Sequence, residues 1–486
     1  VSRQNNMSKE VFDCVSIQLN KNCQTALYVQ LYDEIREMII TGKLSHGFLL
    51  PPVRKLAQSL EINAGTVMSA YKLLEQNGYI FSRSGSGSYV AELSAQEELD
   101  NNDNVSVEEF ETFRFKTEQE SLSYIDLAGI NPDPDLISIE DFKMVLIEVL
   151  DRDKGHAFGY QDSQGFLPLR QAIADNLKKQ NINITNNNIQ VISGAQQGID
   201  IVAKAVVEYG DYVFVEKPTY PGAIAAFKSR VAKLVSINLQ QDGLDIEDLE
   251  NKIKKFRPKL LYIMPNIQNP TGYTYSLAKR NRLMGLARYY NVLILEDDYI
   301  SDLSYNNNNP APLKALDRDE RIIYLKSYSK IFMPGLRLAF LTVPEKLVNK
   351  FLAVKQHSDI ATSGLTQRAF DLYLRKGIWY EHINTIRSIY YERYQFTLKL
   401  IKELMPPTVK CDEPNGGLAL WLELPSGISA NRVVALALQQ KVLVTAGTPF
   451  FVRQAVDRYL RISFALAQPT EIKKGLMIIA DIVKKD

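Results

Sequence analysis

Apolar positions follow two different periods along the chain. From Leu27 to Thr41 the residues Leu27, Leu31, Ile35, Met38 and Ile39 recur at helical spacing, and Gly42 ends the run. A second, short helix is predicted after Pro51-Pro52, with Leu56, Ala57 and Leu60 turned inward. A turn over Glu61 to Ala64 leads to a third helix, roughly Gly65 to Asn77, which places Val67, Ala70, Tyr71 and Leu74 on one face and stops at Gly78. Tyr79-Ile80-Phe81, the turn Ser84-Gly85-Ser86-Gly87 and Ser88-Tyr89-Val90 read as a hairpin. Three helices followed by a hairpin describe a winged helix-turn-helix over residues 26–92, behind an N-terminal extension at 1–25.

Beyond residue 122 the period changes. Short apolar runs at Ile189 to Ile192, Tyr212 to Val215, Leu260 to Met264, Val292 to Leu295 and Ile322 to Leu325 are separated by helical patterns such as Leu277 to Tyr290. Strands alternating with helices predict an α/β body with a mostly parallel sheet covered on both faces. Ligands then belong at the C-terminal ends of the strands.

A chain of 486 residues exceeds what one core usually supports, in line with two or three domains. Between Glu92 and Ser121 the periodicity fades, and ten acidic residues meet only Arg114 and Lys116, so 93–122 reads as an acidic linker. A flexible segment of that length spans roughly 30 Å root-mean-square. The body is expected over 123–486, with a large subdomain at about 172–350 and a smaller α+β subdomain at about 351–486. No apolar run of about 18 residues and no secretory leader pattern is present, so the expectation is a cytoplasmic protein without a membrane partner. Cys14, Cys23 and Cys411 lack metal-type spacing, and with four scattered histidines neither a disulfide framework nor a metal site is expected. The net charge of +1 carries no message about nucleic acid, and residues 26–92 hold six basic against six acidic side chains. Any DNA-binding argument therefore rests on pattern rather than on charge.

Candidate chemistry gathers just past the predicted strands. Lys330, in Ser327-Tyr328-Ser329-Lys330, follows the strand ending at Leu325, and its amine can condense with an aldehyde once burial or neighbouring charge lowers its pKa. Asp297 and Tyr299 follow Leu295; a carboxylate there can keep a pyridine nitrogen protonated, and a phenol two residues on can hydrogen-bond the 3'-oxygen of pyridoxal 5'-phosphate (PLP). Asn269, in Asn266-Ile267-Gln268-Asn269-Pro270-Thr271-Gly272, can donate to the same oxygen. Ser193-Gly194-Ala195-Gln196 sits between a strand and a helix, where free amides hold a phosphate, and Ser327 and Arg337 add a hydroxyl and a positive charge. Tyr220 can stack on the ring. Arg461 lies inside an apolar run and needs a partner, either a substrate carboxylate or an internal ion pair. Taken singly, Lys330 reads as a solvated lysine, Glu296-Asp297-Asp298 as an acidic turn and Asn-Pro-Thr-Gly as a turn before a helix. Their common position at strand ends is what joins them.

Together these segments resemble the fold-type I aminotransferases, and with the N-terminal module the chain resembles MocR-type regulators of the GntR superfamily. The resemblance runs from Leu27 to the C-terminus, less the linker. It implies that Lys330 forms the internal aldimine with PLP, Asp297 binds the pyridine nitrogen, and Tyr299 and Asn269 bind the 3'-oxygen. It implies that Tyr220 stacks on the ring and that Ser327, Arg337 and the amides following Gly194 at Ala195 and Gln196 hold the phosphate. Gly159-Tyr160-Gln161 is similar to the segment in which Tyr160 would reach the phosphate held by a partner subunit, which implies a homodimer. Arg461 matches an arginine that grips an amino acid's carboxylate. In the winged helix, Leu50-Pro51-Pro52-Val53-Arg54-Lys55 and Thr66-Val67 match the family's DNA-facing segments, with Arg54, Lys55, Thr66, Ser69, Lys72 and the wing residue Arg83 as contacts to a double-stranded operator. Where the family usually opens its recognition helix with Ser-Arg, this chain has Asn63-Ala64, so an arginine able to read guanine is missing.

Three functions are thus open. The chain is a regulator that senses an amino compound or PLP itself at Lys330, an aminotransferase that turns over while carrying a DNA module, or an inert dimerisation scaffold fused to that module.

Overall fold

A computed structural model describes residues 17, 27–40, 44, 47–76, 79–83, 87–90, 123–305, 310–453 and 457–485. The predicted extension, apart from Ile17, and the predicted linker at 93–122 lie outside the described residues. Backbone contacts separate two compact units, Val1–Asn102 and Asp103–Asp486.

In the first unit α1 (Leu27–Ile40), α2 (Val53–Ser59) and α3 (Ala64–Gln76) precede the antiparallel hairpin of β1 (Ile80–Arg83) and β2 (Gly87–Val90). The apolar period predicted this arrangement because Leu31, Ile35, Leu56, Val67, Ala70, Leu74, Ile80 and Val90 close into one core, each at most 2% exposed. Tyr71 ties α3 to α2 by donating from its hydroxyl to the Pro51 carbonyl, 2.8 Å away. Asn63 starts α3, its Oδ1 accepting from the Gly65 amide at 2.7 Å. A cap of this kind is worth about 1 kcal/mol.

The second unit opens with β3 (Ile125–Asp126) and the helices α4 (Ile139–Asp153) and α5 (Leu167–Lys178), then builds its large sheet. Its strands are β4 (Ile189–Ile192), β5 (Tyr212–Lys217), β6 (Lys233–Gln240), β7 (Gly243–Leu244), β8 (Leu260–Ile263), β9 (Leu293–Asp298), β10 (Ile322–Ser327) and β11 (Ala339–Thr342), in the order β4-β11-β10-β9-β8-β5-β6-β7. Strands β10, β9, β8, β5 and β6 run parallel, while β11 is antiparallel to both β10 and β4. Two reversals restore direction, so β4 points the same way as β10. The C-terminal ends of β4, β5, β8, β9 and β10 therefore share one edge. Strand β9 runs three residues and β10 two beyond their apolar stretches, so Asp297 and Ser327 lie within strands rather than in the loops after them.

Helices α6 (Ala195–Val206), α7 (Pro221–Lys228), α8 (Ile246–Phe256) and α9 (Leu277–Tyr290) connect the strands, and two apolar cores flank the sheet. Caps mark the helix starts: Asp245 accepts from the amides of Glu247 and Asp248, both at 3.1 Å. Helices α10 (Val348–Asp359), α11 (Gly364–Arg375) and the long α12 (Ile378–Leu404) lead to a smaller α+β layer. There β12 (Lys410–Cys411), β13 (Ala419–Glu423), β15 (Thr445–Ala446) and β16 (Tyr459–Ser463) form an antiparallel sheet, and β14 (Val442–Leu443) pairs in parallel with β3. Helices α13 (Ala430–Gln439) and α14 (Pro469–Lys485) complete its core. No helix among the described residues is long and apolar enough to cross a membrane.

Candidate functional site

Lys330 lies three residues past the end of β10, on the edge where the parallel strands end. Burial, with Arg461 and Arg337 nearby, lowers its amine from the usual 10.5 to about 8. At neutral pH roughly a tenth of the amine is then unprotonated, against roughly one part in several thousand for an ordinary lysine. That difference is what a nucleophilic amine requires. The ammonium donates to Asn131 Oδ1 at 3.0 Å.

Asp297 lies on the adjacent strand β9, opposite Leu325 of β10, and is 3% exposed. Its Oδ2 accepts from the Tyr262 hydroxyl at 2.7 Å, while Oδ1 is buried with no hydrogen-bond partner. Burial raises the carboxyl to about 7 despite the Tyr262 bond. The neighbouring acids are used differently. Glu296 accepts from the amides of Leu313 and Lys314, and Asp298 faces Tyr324, Ser301 and Lys326. Side chains alternate across a strand, so of these three carboxylates only Asp297 faces the side bearing Tyr262. An acidic turn, the plain reading of Glu296-Asp297-Asp298, is thereby replaced by three buried carboxylates inside a strand.

Asn269 is 6% exposed, and its Oδ1 accepts from Arg461 Nη1 at 3.2 Å. That contact orients the amide and leaves Nδ2 to donate elsewhere. The loop carrying it is held from below: Glu216 Oε1 accepts from the Tyr275 hydroxyl at 2.6 Å and Glu216 Oε2 from Gln268 Nε2 at 3.1 Å. Gln268 also donates to the Pro218 carbonyl at 2.8 Å, fastening the Tyr220 loop to the same network. Burial raises Glu216 to about 7. Tyr220 precedes α7 and donates to Gln196 Oε1 at 3.2 Å; its burial raises the phenol. Tyr299 shares a cleft with Asn269 and Arg461, walled by Ile130, Ile267 and Gly417, and burial raises its phenol too.

At the start of α6, Gly194 has φ of 94°, and a Cβ on it would come 2.3 Å from Arg337 Nη2. Only glycine allows that approach. Arg337 donates to the Ser193 carbonyl at 3.0 Å, so its guanidinium is drawn to the first turn of α6, where the amides of Ala195 and Gln196 have no partner within the helix. Ser327 is 2% exposed, and the Ser329 hydroxyl nearby is buried without a partner. A cluster that the sequence did not signal backs this loop. Ser193 donates to Asp359 Oδ2 at 2.9 Å and Gln197 to the same oxygen at 2.7 Å, while fully buried Lys355 bonds Asp359 and Thr362.

Arg461 projects from β16 into the cleft. Its Nη2 donates to the Ala128 carbonyl at 3.0 Å, its guanidinium carbon lies 5.1 Å from the Phe450 ring centre, and its Nε is buried without a partner. Burial lowers it to about 10. The partner demanded by its apolar surroundings is thus a carbonyl and an amide rather than an internal carboxylate. The chain that carries Ala128 and Asn131 is anchored on both sides, by the Ser463 amide to the Leu127 carbonyl (2.8 Å) and by Arg393 to Asp133 (2.7 Å).

The structure therefore brings together Lys330, Asp297, Tyr299, Asn269, Tyr220, Gly194, Ala195, Gln196, Ser327, Arg337 and Arg461. Tyr160 stands apart, 91% exposed. Sequence reasoning passed over Asn131, Tyr262, Ser329 and the Asp359 cluster; the serine sits within the lysine segment, but nothing in the local pattern singles out the others. In the first unit Arg54, Lys55, Ser69 and Lys72 are exposed and Thr66 is half-buried. Arg83 ends β1, and its side chain lies outside the described residues.

The site fits PLP on two observations: a buried carboxylate oxygen without a partner where a ring N–H would pair, and a glycine-lined loop drawn against an arginine at a helix start. When bound, PLP supplies an aldehyde that takes up a primary amine covalently, on an electron-withdrawing ring.

Comparison with known proteins agrees. The family described as "Aminotransferase class I and II" matches residues 128–479, and "Bacterial regulatory proteins, gntR family" matches residues 27–90. Aromatic-amino-acid aminotransferase 1 of Thermococcus litoralis is 32% identical over 76% of this chain and 89% of its own. The uncharacterized HTH-type transcriptional regulator YdcR of Escherichia coli is 30% identical over 90% of this chain and 95% of its own. The probable rhizopine catabolism regulatory protein MocR of Rhizobium meliloti is 28% identical over 83% and 82%. Among solved structures, kynurenine aminotransferase of Pyrococcus horikoshii, in complex with PMP, superposes with a TM-score of 0.72 at 30% identity, covering 78% of this chain and 98% of that one.

Proposed function

The chain belongs to the PLP-dependent class I and II aminotransferase family and is related over nearly its whole length to helix-turn-helix regulators of the MocR kind, and from that premise we propose that its body senses an amino compound, or PLP itself, at Lys330. One observation carries the reading. The segment that first enters the body after residue 122 crosses the site, with Asn131 on Lys330 and the Ala128 carbonyl on Arg461. A ligand that engages the amine and the guanidinium must exchange those contacts for its own. The segment that answers is covalently continuous with the chain leading to the DNA-binding unit.

Each residue has a part in this. Asp297 Oδ1 would accept from the ring nitrogen of bound PLP, Asn269 and Tyr299 would hold its 3'-oxygen, and Tyr220 would stack on the ring. Arg337, Ser327 and the first amides of α6 would bind its phosphate. Arg461 binds a carboxylate through paired donors, which favours an amino acid as effector. A ligand can shift the DNA-binding equilibrium only by its differential affinity for two states of the body, typically about 1 to 3 kcal/mol.

A homodimer completes the scheme. Tyr160 and Phe158 are exposed, and α4 presents Ile139, Met144 and Ile147 outward, an apolar surface suited to a second copy. Two DNA-binding units would then meet paired half-sites.

Turnover as an aminotransferase is the second reading, favoured by the lowered Lys330 amine beside an intact cofactor cradle. Purified full-length protein decides between them. Binding to its promoter DNA that changes by about fivefold or more on adding PLP or an amino acid, with no sustained transfer to a keto acid, is the expected result. Multiple turnover at ordinary rates without DNA binding would refute the sensor.

A further inference from the structure

Resting on the DNA-binding reading above, we propose that α3 reads the 5-methyl groups of thymine in the major groove, through Met68. The helix divides cleanly. Val67, Ala70, Tyr71 and Leu74 fill the core, and Ala64, Gly65, Met68, Ser69, Lys72 and Glu75 face outward. None of the outward six is an arginine, asparagine or glutamine; Lys72, which can reach a guanine edge, lies one turn beyond Met68, and Glu75, which can accept from cytosine, one turn further. Asn63 at the helix start turns its carbonyl oxygen back onto the Gly65 amide.

Among the described side chains the helix offers a base edge the hydroxyls of Ser69 and half-buried Thr66, the Lys72 ammonium, the Glu75 carboxylate and one large apolar group, Met68. Met68 is 59% exposed on the second turn, where a recognition helix meets the bases. The thymine methyl is the base feature in the major groove that an apolar side chain satisfies. An unbranched thioether adapts to it without a fixed geometry. Arg54 and Lys55, exposed at the start of α2, supply charge for the flanking phosphates, which position the helix without reading sequence.

The test uses the full-length, PLP-loaded protein. Duplexes are selected from a pool with a randomised core, and the tightest is remade with deoxyuridine replacing each thymine in turn, which removes one methyl group and nothing else. At one thymine or more, binding weakens by about fourfold, the Boltzmann factor of one buried methyl. Met68→Ala binds the thymine and uracil duplexes equally. Wild-type protein that selects a sequence yet ignores every uracil replacement overturns the inference, as does a Met68→Ala chain that still discriminates. A Met68→Ala chain that discriminates but no longer responds to amino acids places this face against protein and overturns it too. If no duplex is bound at all, the DNA-binding reading itself falls, and this one with it.

Discussion

Asp297→Asn separates the cofactor reading from a purely structural one, because the two predict opposite signs. In the absence of cofactor the carboxyl is 3% exposed and burial raises it from the usual 3.8 to about 7. The folded pKa exceeds the unfolded one, so the unfolded chain releases its proton first as pH rises and folded-state stability falls between about pH 4 and about pH 7. At about 1.4 kcal/mol per tenfold change in proton affinity, holding the ion buried costs on the order of 4 kcal/mol above pH 7. The asparagine keeps a carbonyl oxygen for the Tyr262 hydroxyl and removes the charge. The cofactor-free variant is therefore more stable than wild type, by a margin that grows by about 2 kcal/mol from about pH 5.5 to about pH 8.5. Its affinity for PLP moves the other way, falling by about tenfold to a hundredfold as a charge-assisted hydrogen bond is lost. Urea unfolding across that pH range, with PLP titration followed by absorbance, measures both. A stability difference that does not change with pH, or unchanged PLP affinity, refutes the assignment.

Other outcomes follow from neighbouring groups. With its amine at about 8, Lys330 gains reactivity toward PLP as pH rises through about 8 and levels off above, and borohydride reduction followed by peptide mass spectrometry finds the added group on Lys330 and nowhere in Lys330→Ala. Modification that keeps rising toward pH 10 contradicts the buried amine. Arg461→Lys weakens the effect of a carboxylate-bearing amine by about tenfold or more while leaving simple amines comparable, read from spectral titration, because a lysine cannot supply paired donors. Asp359→Asn leaves the Lys355 ammonium buried without its counter-charge and destabilises the fold by about 3 kcal/mol or more, measured by urea unfolding. A loss under 1 kcal/mol would show that the cluster behind the Ser193-Gly194 loop is not a tight ion pair.

The winged helix, the order of strands and helices and most of the side chains gathered in the cleft were legible from the chain, because burial imposes periods of 3.6 and 2 and because strand ends collect ligands. Lys330, Asp297 and Asn269 declared themselves through local motifs. No such signal marked Asn131, which meets Lys330 across 199 residues, or Ala128, which meets Arg461 across 333. A period reports which face of an element is buried, not what lies opposite it. The lowered Lys330 amine, the raised Asp297 carboxyl and the segment laid across the site all depend on desolvation and on contacts between distant segments. Those quantities come into being only when the chain has closed around them.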